Sequence, residues 1–412
     1  MTLTTMSEDF FSFERLLRPV TPETFLRDYW QREPLVVERS DPGYYAELLL
    51  ARDIESLVAF HQLRYSQLKL ARVGPDALQH STHVSQDRIG DTNGLYHSYC
   101  QGESVVLNFI QNYWEPAARL CSAVENFFHF GAGLNVYVTP KHAQGFPPHF
   151  DTHDAFVLQI AGAKRWCLYE AWRELPAEGE DNRPIPREML GVPKLELELR
   201  SGDLLYIPRG HVHEARTTDA SSVHVTIGVR SYQWSDLLSE LLALGTLHDV
   251  ELRRSLPVGF MESDTAQAGM LAALPRLVGL LCDGDRGAQA IGRLRQRLIQ
   301  RMRPLPDAHL TVLDHLETLG IDSRVTKRVG LMCHIVVNDD GVEVEFPGNR
   351  MSGPRSIEPA LRFIASSRGP FAVRALPGPL SDQSKLVLVK RAIKEGLLTV
   401  AGVPAMRARA GA

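Results

Sequence analysis

With 412 residues, 44% apolar and 23% charged, the chain can bury an ample core and divide into two or three domains. Its formal net charge of −4 argues against a wholesale nucleic-acid binder, so any basic face has to be local. Five cysteines, an odd number spread widely and without a C-x-x-C pair, speak against a disulfide scaffold or a zinc knuckle and fit a reducing cytoplasm.

Residues 1–17, MTLTTMSEDFFSFERLL, carry acids where a signal peptide carries its basic region. No apolar run approaches the roughly 20 residues of a membrane span, so neither secretion nor insertion is expected. A helix is predicted from Thr21, a capping residue followed by Pro22 and Glu23, with Phe25, Tyr29 and Trp30 as its apolar face. Residues 32–40 read as a short strand, and residues 53–63 return to helical spacing. No repeat at a solenoid period is present.

From Gly131 to about Tyr232 short apolar strands alternate with Gly, Pro and Asp. They are predicted at 134–139, 155–161, 164–170, 195–200, 203–208 and 222–229, with AGAK, SGD and PRG as turns. Strands at such short intervals without intervening helices predict an α+β protein built on a double-stranded β-helix of the jelly-roll or cupin type. Barrels of this kind hold small ligands in their mouths.

The chemistry concentrates in two stretches of that barrel. In GFPPHFDTHD, His149 and Asp151 alternate and so share a face. Two imidazoles and a carboxylate on one face of an octahedron form the facial triad of non-haem Fe(II) oxygenases, leaving other positions open. An isolated H-x-D is a weak signal in a chain with 15 histidines. Its context, a Pro-Pro entry here and the stretch LLYIPRGHVHE one barrel circuit later, makes it stronger. The third ligand has to come from that second stretch, and spacing leaves His211 and His213 both open. His142, His153 and His224 read as neighbours of the site, since a metal-bound imidazole needs a partner for its other nitrogen.

Beyond Ser231 the chain turns helical, with leucine-rich helices predicted at 235–247 and 270–282 and an arginine-rich one at 289–302. The last 80 or so residues contain a hairpin around Asn338-Asp339-Asp340-Gly341, a helix at 357–366 and a capped helix at 381–394 that ends at Gly396. Strands with short helices over this length suit a winged helix, and Lys385, Lys390, Arg391 and Lys394 give its last helix a basic side. A basic helix can enter a DNA groove, although a solvated face is the commoner role, so nucleic acid is a minor expectation.

Residues 135–170, NVYVTPKHAQGFPPHFDTHDAFVLQIAGAKRWCLYE, and 199–215, LRSGDLLYIPRGHVHEA, resemble the JmjC-type ribosomal oxygenases, which are 2-oxoglutarate-dependent protein hydroxylases. Residues 16–39, LLRPVTPETFLRDYWQREPLVVER, resemble the opening segment of the same group. The resemblance implies a catalytic domain at 1–232, a helical dimerisation region at 233–320 and a winged-helix domain at 321–412. It implies Fe(II), 2-oxoglutarate and O2 as cofactor and cosubstrates. The family's pattern of an apolar residue, Pro, Arg, Gly, two residues and a ligand reads Ile207-Pro208-Arg209-Gly210-His211-Val212-His213 here. The ligand set implied is therefore His149, Asp151 and His213, with His211 a substrate-channel candidate. Lys164 stands where the family binds the distal carboxylate of 2-oxoglutarate, and Asn135 and Tyr137 match residues that contact the cosubstrate or position the ligands. A lysine is physically apt, since a buried dianion needs a compact cation.

The function implied is hydroxylation of an arginine or histidine side chain of a ribosomal protein by a homodimeric enzyme. Two other readings use the same residues: a hydroxylase of a precursor peptide or other small substrate, and a metal-binding cupin scaffold with a regulatory DNA-binding winged helix.

Overall fold

The computed structural model describes residues 11–60, 67–74, 77–81, 92–180, 183–305, 307 and 309–402. The first ten residues, positions 61–63 of the helix expected at 53–63, and the residues after 402 lie outside that set. The chain forms two compact units, Met1–Ser231 and Tyr232–Ala412.

The first unit opens with α1 (Phe13–Leu17), α2 (Pro22–Asp28), β1 (Leu35–Val37) and α3 (Ala51–Phe60). Thr21 caps α2 as expected, its hydroxyl accepting from the Thr24 N–H at 3.2 Å. Next come β2 (Leu68–Gly74), β3 (Ala77–Ser81), α4 (Thr92–Cys100), β4 (Ser104–Leu107) and α5 (Glu115–Phe128). The barrel follows as β5 (Gly131–Thr139), β6 (Asp154–Ala171), β7 (Leu195–Arg200), β8 (Leu204–Ile207), β9 (His211–Arg216) and β10 (Ser222–Arg230).

Strand order in the larger sheet is β1-β8-β6-β10-β5-β4-β2-β3, while β7 and β9 flank the second half of β6. The two facing sheets share β6 and make the double-stranded β-helix expected from the strand spacing. One expectation is corrected: AGAK is not a turn. The strands predicted at 155–161 and 164–170 are one 18-residue strand, β6. Gly162 carries it between sheets with φ +68°, and a Cβ there would stand 1.8 Å from the Ser221 carbonyl oxygen.

A bulge just before that glycine decides which residues face the barrel. The register between β10 and β6 slips between Val223, opposite Ala161, and His224, opposite Gln159. Before the slip Phe156 and Leu158 face the main core while Ala155 and Val157 face the barrel interior. After it Trp166 and Leu168 face inward, so the inward parity changes from odd to even. Without the bulge Arg165, not Lys164, would point into the barrel.

The main core lies between the larger sheet and the helices. It joins Phe13, Phe25, Leu120 and Val124 to Leu134, Val136, Phe156 and Tyr206. Phe25 meets Tyr206 edge-on at 4.8 Å. Helix α5, which backs β5 with Ala117, Leu120, Cys121 and Val124, was not singled out from sequence.

The second unit begins with α6 (Trp234–His248), α7 (Asp264–Leu281) and α8 (Arg286–Arg301). Leu241, Leu244 and Ala290 form a small core among them, and the buried Glu240 carboxylate faces Arg293 and Arg297. Much apolar surface stays uncovered, including Leu238, Leu242 and Leu247 on α6 and Leu271, Leu274 and Val278 on α7. Among the described residues no single helix is long and apolar enough to cross a membrane; only α7 and α8 taken together, bent by 67°, meet such a criterion.

The remainder comprises α9 (His309–Asp314), β11 (Arg324–Lys327), β12 (His334–Asn338), β13 (Gly341–Phe346) and β14 (Asn349–Gly353), then α10 (Glu358–Ser366), β15 (Phe371–Ala372), α11 (Asp382–Lys394) and β16 (Leu398–Val400). Strands β12, β13 and β14 form a meander, and β15, β11 and β16 a second three-stranded sheet. Both cover a core containing Val325, Phe346, Leu361 and Ile393. On α11 much of the basic side is engaged internally: Lys385 donates to the Arg374 carbonyl, Lys390 pairs with Glu317 at 2.9 Å, and Arg391 donates to the Ser352 carbonyl.

Candidate metal centre

The segment just before β6 lies antiparallel to the start of β9. The His149 N–H donates to the His213 carbonyl at 3.2 Å, the His213 N–H returns to the His149 carbonyl at 2.8 Å, and the Gly210 N–H donates to the Asp151 carbonyl at 3.0 Å. This backbone pairing sets the two histidines opposite one another, ring centroids 4.5 Å apart. Alternation adds Asp151 to the same side. His149 Nε2 stands 4.0 Å from Asp151 Oδ1 and His213 Nε2 3.7 Å from Asp151 Oδ2. The ligand atoms of all three residues lie within 4.8 Å of one another.

Both imidazoles are held in the tautomer a metal needs. His149 Nδ1 lies 2.8 Å from the Pro147 carbonyl oxygen and His213 Nδ1 3.1 Å from that of His211. A carbonyl only accepts, so each Nδ1 carries the proton and each Nε2 offers its lone pair towards Asp151. Burial, reinforced by His149, pushes His213 down to about 4, so it is neutral at pH 7. Burial pushes the Asp151 carboxyl up, but His153, His213 and His149 outweigh it and hold the group below its usual range. Two neutral nitrogens and one carboxylate are the donor set of the 2-His-1-carboxylate triad and suit a divalent transition metal. His213 is buried, whereas the side chains of His149 and Asp151 keep about a quarter of their surface exposed, 23% and 24%. The mouth is on that side.

The structure resolves the choice that spacing left open. His211 shares a face with His213 but stands outside the three-residue cluster, its Nδ1–H donating to the Tyr169 carbonyl at 3.1 Å. His142 is exposed beside Asp219. The His153 ring packs where a side chain on Gly228 would be, 2.6 Å from an added Cβ.

Lys164 lies inside the barrel, 5% exposed, with its ammonium donating to Thr139 Oγ1 at 3.0 Å and 6.0 Å from the Trp166 ring centroid. Among the described residues no carboxylate pairs with it, and burial alone brings its pKa down to about 7. A buried cation without a counter-ion is costly and calls for an anion. On β5, Tyr137 and Asn135 share the face of Thr139. Burial and the Asp151 charge raise the Tyr137 hydroxyl to about 12. The Asn135 side-chain carbonyl accepts from the Phe109 N–H at 2.9 Å, where Phe109 adopts φ 53°. Two neighbours were missed in the sequence, Thr139 and Trp166; both follow from alternation, two residues beyond Tyr137 and two beyond Lys164.

A JmjC domain matches residues 108–237. Curated relatives include the bifunctional lysine-specific demethylase and histidyl-hydroxylase NO66 of Drosophila persimilis, 33% identical over 259 residues, which cover 60% of this chain and 36% of that protein. Ribosomal oxygenase 1 of Gallus gallus is 33% identical over 287 residues, 65% of this chain and 47% of that one. The chain is a JmjC protein of the ribosomal-oxygenase group.

This JmjC protein spans less than half the length of those curated relatives. Among solved structures it resembles Escherichia coli YcfD, with a TM-score of 0.56 and 19% identity over 92% of this chain and 98% of that one. Another YcfD structure, a ribosomal oxygenase in complex with cobalt and 2-oxoglutarate, gives a TM-score of 0.53 at 19% identity, covering 93% and 99%. At this identity the likeness is one of fold.

Proposed function

We propose that this JmjC protein is an Fe(II)- and 2-oxoglutarate-dependent hydroxylase of a ribosomal protein side chain, arginine or histidine. The observation that carries the reading is the placement of a three-ligand cluster and an unpaired buried lysine in one barrel. His149, Asp151 and His213 are assigned to iron, and Lys164, with Thr139 beside it, to the distal carboxylate of 2-oxoglutarate. Asn135 and Tyr137 are assigned to the wall around the cosubstrate.

Bound Fe(II) with 2-oxoglutarate and O2 supplies the oxidising power for hydroxylating an unactivated C–H bond, with succinate and CO2 as the other products. The chain's own part is to bind, orient and exclude water. Two neutral imidazoles and one carboxylate leave a bound Fe(II) a net positive charge, which favours an anionic cosubstrate. Lys164 fixes that anion's far end, and the apolar layer of Ala155, Val157, Trp166 and Leu168 closes the barrel behind it. No side chain has to serve as general acid or base for the hydroxylation itself.

The second unit is assigned a helical dimerisation region at 233–320 and a winged-helix domain at 321–412. The exposed leucines of α6 and α7 support a homodimer. The internal engagement of α11's basic residues favours a protein-docking or structural role over DNA binding. A cytoplasmic enzyme acting on ribosomal protein is consistent with the cysteine pattern. The test is succinate formation from 2-oxoglutarate, stimulated by ribosomal protein, together with a mass increase of one oxygen atom on an arginine or histidine.

A further inference from the structure

Inside the barrel one polar side chain has no assigned task. His224 on β10 is 3% exposed, and its Nδ1 has neither a partner nor contact with solvent. Alternation along β10 sends Val223, Val225, Ile227 and Val229 to the main core, which leaves His224 on the barrel side. It lies opposite Tyr137 in the β5 register and stacks on that ring at 4.7 Å with only 2° between the planes. Trp166 meets it edge-on at 5.6 Å. A buried histidine whose only role is packing costs stability through each unpaired nitrogen, and an apolar residue in this aromatic sandwich avoids that cost.

His224 also lies close enough to Lys164 to be influenced by its charge. Burial, with the Lys164 charge adding to it, holds the imidazole far below its ordinary value, so the ring is neutral and carries one N–H donor. An ammonium and a neutral imidazole beside one another share no acceptor, yet both suit one anion. A carboxylate has about four lone-pair sites, more than a single ammonium fills.

We propose that His224 is a second contact for the distal carboxylate of the dicarboxylate held by Lys164, donating an imidazole N–H to the oxygen that the ammonium leaves open. The inference rests on the 2-oxoglutarate reading above and deepens it. Stacking on Tyr137 fixes the ring plane, and the bulge opposite Val223 and His224 brings Lys164 and His224 to one end of the barrel.

The test is calorimetric binding of 2-oxoglutarate and of 2-oxobutyrate, which lacks the distal carboxylate, to protein loaded with Mn(II) in place of iron. His224→Phe keeps the aromatic stack and removes both nitrogens, His224→Leu removes the ring, and His224→Gln restores a donor. A hydrogen bond to a charged group is worth roughly 1.5–3 kcal/mol, on the order of 10- to 100-fold in Kd. The expected result is that loss for 2-oxoglutarate alone in the Phe and Leu variants, with 2-oxobutyrate unchanged and partial recovery in the Gln variant. Equal weakening of both ligands, or none, overturns the contact. Binding of neither ligand by the unsubstituted protein overturns the 2-oxoglutarate reading itself. Where the apolar variants do not fold, the imidazole N–H resonance of His224 in unsubstituted, Zn(II)-loaded protein decides: a protected signal induced by 2-oxoglutarate and not by 2-oxobutyrate supports the contact, and no difference overturns it.

Discussion

His149 and His213 are bound to each other by their backbones, each N–H donating to the other's carbonyl at 3.2 and 2.8 Å. The two nitrogen ligands of the proposed centre therefore move as one unit, and Asp151 is tied to the same ladder through Gly210. Metal affinity should respond to this pairing as a whole. His149→Ala and His213→Ala are each expected to abolish stoichiometric Fe(II) or Mn(II) binding, read by metal analysis after desalting. His211→Ala, which removes a ring outside the cluster, should retain the metal. Equal retention in all three variants would contradict the ligand assignment.

Lys164 makes anion binding depend on pH in a definite direction. Its pKa in the free protein is about 7, so above pH 7 the lysine is largely neutral and has to take up a proton when a carboxylate docks. Affinity for 2-oxoglutarate should then fall as pH rises past about 7, by up to about tenfold per pH unit. Calorimetry in buffers of different ionisation enthalpy should show proton uptake near pH 8. Lys164→Ala should lose the affinity and the proton uptake together; uptake that persists in this variant assigns the proton to another group.

Gly162 joins the two sheets within β6. With φ +68° and an added Cβ 1.8 Å from the Ser221 carbonyl oxygen, Gly162→Ala cannot be absorbed by a side-chain rotation. Destabilisation of several kcal/mol is expected, since backbone strain of this kind costs about 1–3 kcal/mol before the clash is added. Gly191→Ala, where an added Cβ meets nothing within 4 Å, is the control. Urea midpoints of the two variants measure the difference, and equal midpoints would refute the role given to Gly162.

The leucines exposed on α6 and α7 set the expectation for assembly. Leu238 is 56% exposed and Leu271 68%, so replacing both by glutamate should cost the monomer fold little. Light scattering should show a dimer for the parent and a monomer for the double variant, with the melting temperature no longer dependent on protein concentration. A monomeric parent would remove the dimerisation role.

Much of the barrel was legible because its strands are short, alternating and bounded by Gly, Pro and Asp. The ligand face was legible for the same reason, since His149 and Asp151 are two apart on extended chain. What stayed hidden depends on partners distant in sequence. Gly162 looks like a turn residue until the Ser221 backbone is seen against it, so β6 read as two strands. The choice between His211 and His213 is invisible to spacing because both share a face, and only the pairing with His149 separates them. The inward turn of Lys164 depends on a bulge opposite Val223 and His224 that no local pattern announces. Helix α5 did carry a local signal, Pro116 in its first turn and buried residues at helical spacing.

The most direct test of the account is succinate formation from 2-oxoglutarate by protein reconstituted anaerobically with Fe(II) and then exposed to O2, with and without ribosomal protein extract. The account predicts O2-dependent succinate that the extract stimulates, lost in His149→Ala, His213→Ala and Lys164→Ala and retained in His211→Ala. No succinate from fully metallated protein, with extract and candidate arginine and histidine peptides present, would contradict it and leave the barrel a metal-binding scaffold.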